Sequence, residues 1–88
     1  MDNSSVNNEQ YFKDWAESYY ESARNLKIRI QQKQKEADTC ESSKLQELSI
    51  QIECLQESYY DCLETARILS AKAARERAKQ INRNKNNW

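Results

Sequence analysis

Nine residues between Leu45 and Ala73 follow one another at alternating steps of three and four, and none of them is charged. They are Leu45, Leu48, Ile52, Leu55, Tyr59, Cys62, Ala66, Leu69 and Ala73. This heptad spacing places an apolar seam along one side of an α-helix. Because such a seam is stable in water only when apolar surface covers it, the pattern predicts a long helix packed against a second helix.

The first half of the chain carries another seam at the same spacing. Its members are Phe12, Ala16, Tyr19, Ala23, Leu26, Ile30, Lys33 and Ala37. Continued further, this register reaches Lys44, one residue out of phase with the seam that starts at Leu45, so the helix must be interrupted between the two seams. Thr39, Ser42 and Ser43 lie at the interruption, and side chains that hydrogen-bond the local backbone are typical of turns and helix caps.

We therefore predict an all-α fold, a two-helix antiparallel coiled-coil hairpin, with helix 1 at about residues 9–38, a turn at about 39–43 and helix 2 at about 44–83. Residues 1–8 are predicted to be a disordered leader and residues 84–88 a polar tail. The absence of Gly and Pro favours helices, because those residues make the tight turns that sheets require. A single straight helix with one skipped residue is the alternative to the hairpin.

Charged residues form four blocks of alternating sign: residues 1–23 are acidic, 24–35 basic, 36–64 acidic and 65–88 basic. Folding the chain about residue 41, so that residue i faces residue 82 − i, brings blocks of opposite sign together. A parallel pair of straight helices would place like charges side by side. The charge pattern therefore predicts antiparallel packing, either in a hairpin or between two chains of a domain-swapped dimer.

Six further apolar residues lie off the two seams and define a candidate partner surface. They are Trp15, Ile28, Ile50, Cys54, Tyr60 and Ile68. In the predicted hairpin Ile28 comes close to Ile50 and Cys54. Two helices alone cannot cover these residues, and a small domain buries only about 60% of the surface that its unfolded chain exposes. The sequence therefore predicts a homodimer in which two hairpins form a four-helix bundle.

The residue types on which most enzymes depend are missing. The chain has no His and no Gly, which removes the commonest general base, the commonest metal ligand and any glycine-rich phosphate loop. Cys40, Cys54 and Cys62 lack the C-x-x-C spacing of a zinc site. We expect no enzymatic activity, no cofactor and no metal. An odd number of cysteines and the lack of an apolar N-terminal run predict a cytoplasmic protein that does not enter a membrane.

Three functions fit this sequence. The first is a non-enzymatic interaction or adaptor module that binds itself or another helical protein through an antiparallel coiled coil. The second is a small nucleic-acid-binding accessory protein that uses its basic C-terminal helix. Its candidate phosphate contacts are Lys72, Arg75, Arg77, Lys79, Arg83 and Lys85. The third is a secreted helical-hairpin partner protein. Tyr60 and Glu64 have the Tyr-x-x-x-acid spacing of an export signal for such proteins, but Tyr60 falls in the middle of helix 2 and not near the chain end, where that signal stands.

The first function is favoured over the second because the predicted fold neutralises part of the basic end. Folding about residue 41 lays the acidic N-terminal block beside Arg67, Lys72 and Arg75. The basic end would also interact favourably with the C-terminus of helix 2. We therefore expect weak binding of nucleic acid.

Overall fold

The computed structural model describes the backbone of residues 4–86 and the side chains of residues 8–82. It contains helix α1 at Ser4–Thr39 and helix α2 at Ser42–Asn86, which pack against each other. Cys40 and Glu41 alone connect the helices, so α1 and α2 run antiparallel. No strand occurs in residues 4–86. The predicted all-α, two-helix hairpin is confirmed, and the straight-helix alternative is wrong.

Both helices are longer than the sequence predicted. Helix α1 includes residues 4–8 of the predicted leader, and α2 includes residues 84–86 of the predicted tail. Adding a residue to an existing helix costs much less than starting one, so the polar Ser and Asn residues at these ends continue the helices. Residues 1–3 and 87–88, the remainder of the predicted leader and tail, lie outside the described part of the chain.

The connection is shorter than the predicted turn at residues 39–43. Helix α1 ends at Thr39, whose hydroxyl donates a hydrogen bond to the Glu36 carbonyl at 3.4 Å. The Lys44 amide donates to the Glu41 carbonyl at 2.9 Å, which closes the first turn of α2. No residue with positive φ occurs in the described backbone. The chain therefore reverses direction here without the conformation that would favour Gly.

The seam of α1 lies where the spacing predicts. Ala16, Ala23 and Ile30 are buried, with exposed fractions of 3%, 2% and 7%. The other members of this seam are half-buried: Phe12, Tyr19, Leu26, Lys33 and Ala37. The half-burial of Lys33 fits a side chain whose aliphatic stem packs while its ammonium group stays near water, 3.8 Å from the Glu36 carboxylate. The predicted seam of helix 1 is confirmed at every position.

The seam of α2 is confirmed except at its first residue. Its buried members are Leu48, Ala66, Leu69 and Ala73, and its half-buried members are Ile52, Leu55, Tyr59 and Cys62. Leu45 is 45% exposed, so its assignment to the buried seam is wrong. Leu45 lies in the first turn of α2, beside the connection, and stands about 60° around the helix axis from the buried Leu48, so it falls at the edge of the seam.

The hairpin is thin and elongated. Its extents are 70 × 17 × 13 Å and its radius of gyration is 20.0 Å, against about 12 Å for a compact domain of this length. Its accessible surface is 6973 Å², whereas a compact monomer of 10.5 kDa would expose about 5,400 Å². Because the core is one seam between two helices, both broad faces of the hairpin remain uncovered.

Ion pairs in the described side chains join residues of the same helix. The pairs are Glu9 with Lys13 at 3.4 Å, Glu17 with Arg24 at 3.1 Å, Lys33 with Glu36 at 3.8 Å and Glu76 with Lys79 at 3.4 Å. The charge pattern predicted the correct antiparallel orientation. The two-residue connection enforces that orientation, and exposed ion pairs contribute little to stability.

Candidate interaction surfaces

The six residues of the predicted partner surface are all exposed, but they do not form one surface. Ile50 and Cys54 line a groove that also contains Arg29. Ile28 lines a different groove, formed by α1 alone. The predicted approach of Ile28 to Ile50 and Cys54 is therefore wrong. Ile28 stands two residues from Leu26 and from Ile30 in the seam, so at about 100° per residue its side chain lies on the opposite side of α1.

Trp15 belongs to an aromatic cluster near the start of α1, which consists of Tyr11, Phe12 and Trp15. The Tyr11 ring centroid lies 5.6 Å from that of Phe12 and 5.5 Å from that of Trp15, and the Phe12 and Trp15 centroids are 6.5 Å apart. Tyr11 is 58% exposed and Trp15 is 41% exposed, whereas Phe12 is half-buried in the seam. Sequence reasoning missed Tyr11, although its four-residue spacing from Trp15 was a usable signal.

Two other members of the predicted surface lie farther along α2. Tyr60 is 66% exposed, and its ring packs against that of Tyr59 with centroids 5.3 Å apart. Ile68 is 52% exposed. The six predicted residues therefore divide among several patches, of which the Trp15 patch contains the most aromatic surface.

A groove of about 620 Å³ lies between the helices near the open end of the hairpin, the end that contains Ser4 and Asn86. We call it the alanine groove, and its apolar lining consists of Ala16, Tyr20, Ala73, Ala74, Ala78 and Ile81. Ala74, Ala78 and Ile81 follow at steps of four and three. Sequence reasoning missed this second stripe because it treated the segment as a basic tail. Ile81 is 49% exposed, so the groove leaves apolar surface in water.

Charges along the alanine groove are divided between the two helices. Glu9, Asp14 and Glu17 line it from α1, and Arg77 lines it from α2. Lys13 also lines the groove from α1, where it pairs with Glu9 at 3.4 Å. The α1 rim is therefore acidic on balance and the α2 rim is basic.

The candidate phosphate contacts divide between two sides of the hairpin. Three of them share a groove with Phe12: Lys72, Arg75 and Lys79. Arg77 lines the alanine groove instead. Arg77 and Lys79 are two positions apart, so their side chains point about 200° apart around α2. Arg83 and Lys85 belong to α2, but their side chains lie outside the described residues.

The acidic start of the chain was predicted to neutralise part of the charge of Arg67, Lys72 and Arg75, and the structure shows no direct ion pair of this kind among residues 8–82. None of the three forms an ion pair within the described side chains. Instead, the Lys72 ammonium nitrogen lies 5.9 Å from the centroid of the Phe12 ring, within the range of a cation–π contact. Pairing residue i with 82 − i places Phe12 opposite Ser70, and Lys72 reaches the ring from two positions further along α2 because helical side chains lean toward the helix N-terminus.

The cysteines are free thiols in this structure. Cys54 is exposed, whereas Cys40 and Cys62 are half-buried. Within the described side chains, Cys, Asp and Glu residues form no group of three that could hold a metal ion.

Neither helix, over the part that the structure describes, contains a stretch long and apolar enough to cross a membrane. Comparison with protein-family models, with curated proteins and with solved structures finds no match. The interpretation of the surfaces therefore depends on their geometry.

Proposed function

We propose that this chain is a non-enzymatic interaction module that self-associates through the alanine groove. Two hairpins would pack there as a four-helix bundle with coiled-coil contacts between helices. The observation that carries the proposal is a groove lined by small apolar residues whose two rims have opposite charge. Small side chains let helices approach closely. Across a two-fold axis, the acidic rim of one copy can lie against the basic rim of the other.

The charges select one arrangement of the two copies. A two-fold axis parallel to the helices sets α1 of one copy over α2 of the other, with both open ends at the same end of the bundle. The acidic rim of Glu9, Asp14 and Glu17 then faces Arg77 of the second copy. An axis across the hairpin would set α1 over α1 and acidic rim over acidic rim. We therefore propose the first arrangement, because it pairs opposite charges.

The surface area of the chain supports self-association. The hairpin exposes 6973 Å², about 1,500 Å² more than a compact monomer of its mass. A standard protein–protein interface buries about 800 Å² on each partner. One broad face of a hairpin that is 70 Å long offers enough surface for such an interface.

Sedimentation equilibrium of the full chain tests the proposal with a matched pair of variants. Wild-type protein at tens of micromolar should sediment with twice the mass of the 10.5 kDa chain. Ala74→Glu should reduce the mass to that of one chain, because it places a carboxylate inside the apolar lining. Ala71→Glu is the control, since Ala71 is exposed on the same helix one turn away and lines none of the grooves described above. A wild-type mass of one chain would refute the proposal.

Charge reversal tests the arrangement of the copies. Glu17→Lys and Arg77→Glu should each weaken the dimer, because the first removes the net negative charge of the α1 rim and the second makes both rims acidic. The double variant should restore part of the association, since positions 17 and 77 again carry opposite charges. If the double variant associates no better than either single variant, the arrangement with α1 over α2 is wrong.

We also propose that the module works in the cytoplasm. Its free thiols support this, because an oxidising compartment would favour pairing of exposed cysteines such as Cys54. The coiled-coil dimer would leave the opposite face of each hairpin, with the aromatic cluster, available to another partner.

A further inference from the structure

The face opposite the alanine groove combines exposed aromatic rings with positive charge that is only partly compensated. Tyr11 and Trp15 are 58% and 41% exposed although aromatic side chains bury the most apolar area when they pack. Their rings contact each other and Phe12 at centroid distances of 5.5 to 6.5 Å. The contacts hold the rings together as a platform instead of leaving them as separate mobile side chains.

A row of bases lies beside this platform on α2. Lys72, Arg75 and Lys79 line one groove together with Phe12 and Glu76, so the groove carries three bases and one acid. The Lys72 ammonium nitrogen is 5.9 Å from the Phe12 ring centroid. The three bases follow at steps of three and four residues, which rise about 4.5 and 6 Å along the helix. They therefore form a line parallel to the helix axis next to the rings.

The charge of this row is only partly balanced. Lys72 and Arg75 are exposed and form no ion pair within the described side chains. Lys79 contacts Glu76 at 3.4 Å. The acidic side chains Glu9, Asp14 and Glu17 of the neighbouring α1 segment line the alanine groove on the other side. The aromatic platform and the basic row therefore form one electropositive ledge.

We propose that this ledge, formed by Tyr11, Phe12, Trp15, Lys72, Arg75 and Lys79, binds single-stranded nucleic acid. Unpaired bases stack on the exposed rings of Tyr11 and Trp15, while the phosphates contact the basic row. Proteins that bind single strands combine these same elements, an aromatic surface for bases and a line of cations for the backbone. The ledge lies on the other side of the hairpin from the alanine groove, so this proposal is independent of self-association.

Two features favour a single strand over the other anionic partners. In a duplex the bases are stacked on one another, so exposed rings would have nothing to stack on without unstacking the helix. An anionic membrane surface is the other alternative. A helix that lies in a membrane interface needs an apolar face along its length. Here the next turns of α1 on this side carry Ser18 and Ser22, which are exposed and polar.

The proposal is tested with the full chain by measuring the fluorescence anisotropy of a labelled oligothymidylate of about 12 nucleotides as protein is added. Three phosphate contacts to a single strand predict a slope of about −2 in a plot of log K against log salt concentration. Lys72→Gln and Arg75→Gln should each reduce the slope by about 0.7. Lys35→Gln is the matched control, because Lys35 is exposed on α1 in the half of the hairpin near the connection and lines a different groove.

Stacking is tested by Trp15→Ala, which should weaken binding about 5- to 150-fold, the range expected for loss of one base–aromatic stack. In a Trp88→Phe background Trp15 is the remaining tryptophan, and its fluorescence should be quenched when the oligonucleotide binds. Circular dichroism of Trp15→Ala should show unchanged helix content, since Trp15 lies outside the seam.

Three results would overturn the proposal. The first is no binding of the oligonucleotide at low salt. The second is binding that Trp15→Ala leaves unchanged. Binding to a duplex of equal length with equal affinity counts in the same way, because both results would indicate only general attraction to phosphate. The third is binding to vesicles containing phosphatidylserine without binding to the oligonucleotide, which would assign the ledge to a membrane surface.

Discussion

The adjacent residues Leu69 and Ile68 provide a direct test of the packing. Leu69 is 5% exposed in the seam, and Ile68 is 52% exposed. Leu69→Ala removes three buried carbon groups at about 0.8 kcal/mol each, or about 2.4 kcal/mol of transfer free energy. The cavity that remains adds to this, so we expect a loss of about 2.5 to 5 kcal/mol in the free energy of unfolding. Ile68→Ala should change it by about 0.5 kcal/mol or less.

The expected loss is large compared with the total stability. A chain of this length has a free energy of unfolding of about 4 to 13 kcal/mol at 0.05–0.15 kcal/mol per residue. Thermal and urea unfolding followed by circular dichroism would measure it, at one fixed protein concentration because association adds to apparent stability. The melting temperature should fall by about 10 °C or more for Leu69→Ala. Equal losses for the two variants would refute the assignment of the buried face.

Two further predictions concern the connection and the thiols. Ser42→Pro should leave the free energy of unfolding within about 1 kcal/mol of wild type, because Ser42 is the first residue of α2 and follows the non-helical Glu41. Ser49→Pro, inside α2, should lower the free energy of unfolding by about 3 kcal/mol or more, as measured by urea unfolding. Similar losses for both variants would contradict the observed start of α2. Under native conditions a water-soluble thiol reagent should modify exposed Cys54 before half-buried Cys40 and Cys62, and Cys54→Ser should remove the fast phase. A fast phase that persists in Cys54→Ser would show that another thiol is accessible.

The seams could be predicted from the sequence because burial in a two-helix hairpin depends mainly on helical periodicity. Ala16, Ala23 and Ile30 stand at one heptad spacing, and all three are buried. Ala23 and Ala66 have exposed fractions of only 2% and 0%. The turn could be located for a related reason: the two seams differ in phase by one residue, and the structure ends α1 and starts α2 in that interval.

The side faces were harder to predict, because they depend on the direction of each side chain around and along its helix. Counting from the turn places Phe12 opposite Ser70, and the length and direction of the Lys72 side chain bring its ammonium group near the Phe12 ring. Arg77 and Lys79 face opposite sides because they lie two positions apart on one helix, about 200° around its axis. The net charge of a block does not say which side of the helix each charged residue faces. It therefore could not show that, within residues 8–82, Lys72 and Arg75 form no ion pair with the acidic start of the chain.

The partner surface was predicted only as a set of exposed residues. Trp15, Tyr60 and Ile68 are each exposed as expected for residues off the seams. Their division into separate patches follows from the helix on which each residue lies, its height along the hairpin and its angle around the helix axis. The alanine groove was missed because alanine contributes little to an apolar pattern, although Ala74 and Ala78 leave the space that makes the groove.

The two-residue connection also bears on the order in which the hairpin closes. Contacts near Cys40 and Glu41 close short loops, whereas contact between Phe12 and Lys72 closes a loop of about 60 residues, and the entropy lost on loop closure grows with length. We therefore expect the helices to pair from the connection outwards, and amide hydrogen exchange to be fastest at the open end. The alanine groove and the aromatic cluster both lie toward that end. A partner that binds either surface should hold α1 and α2 together there, so its binding should slow amide exchange at the open end.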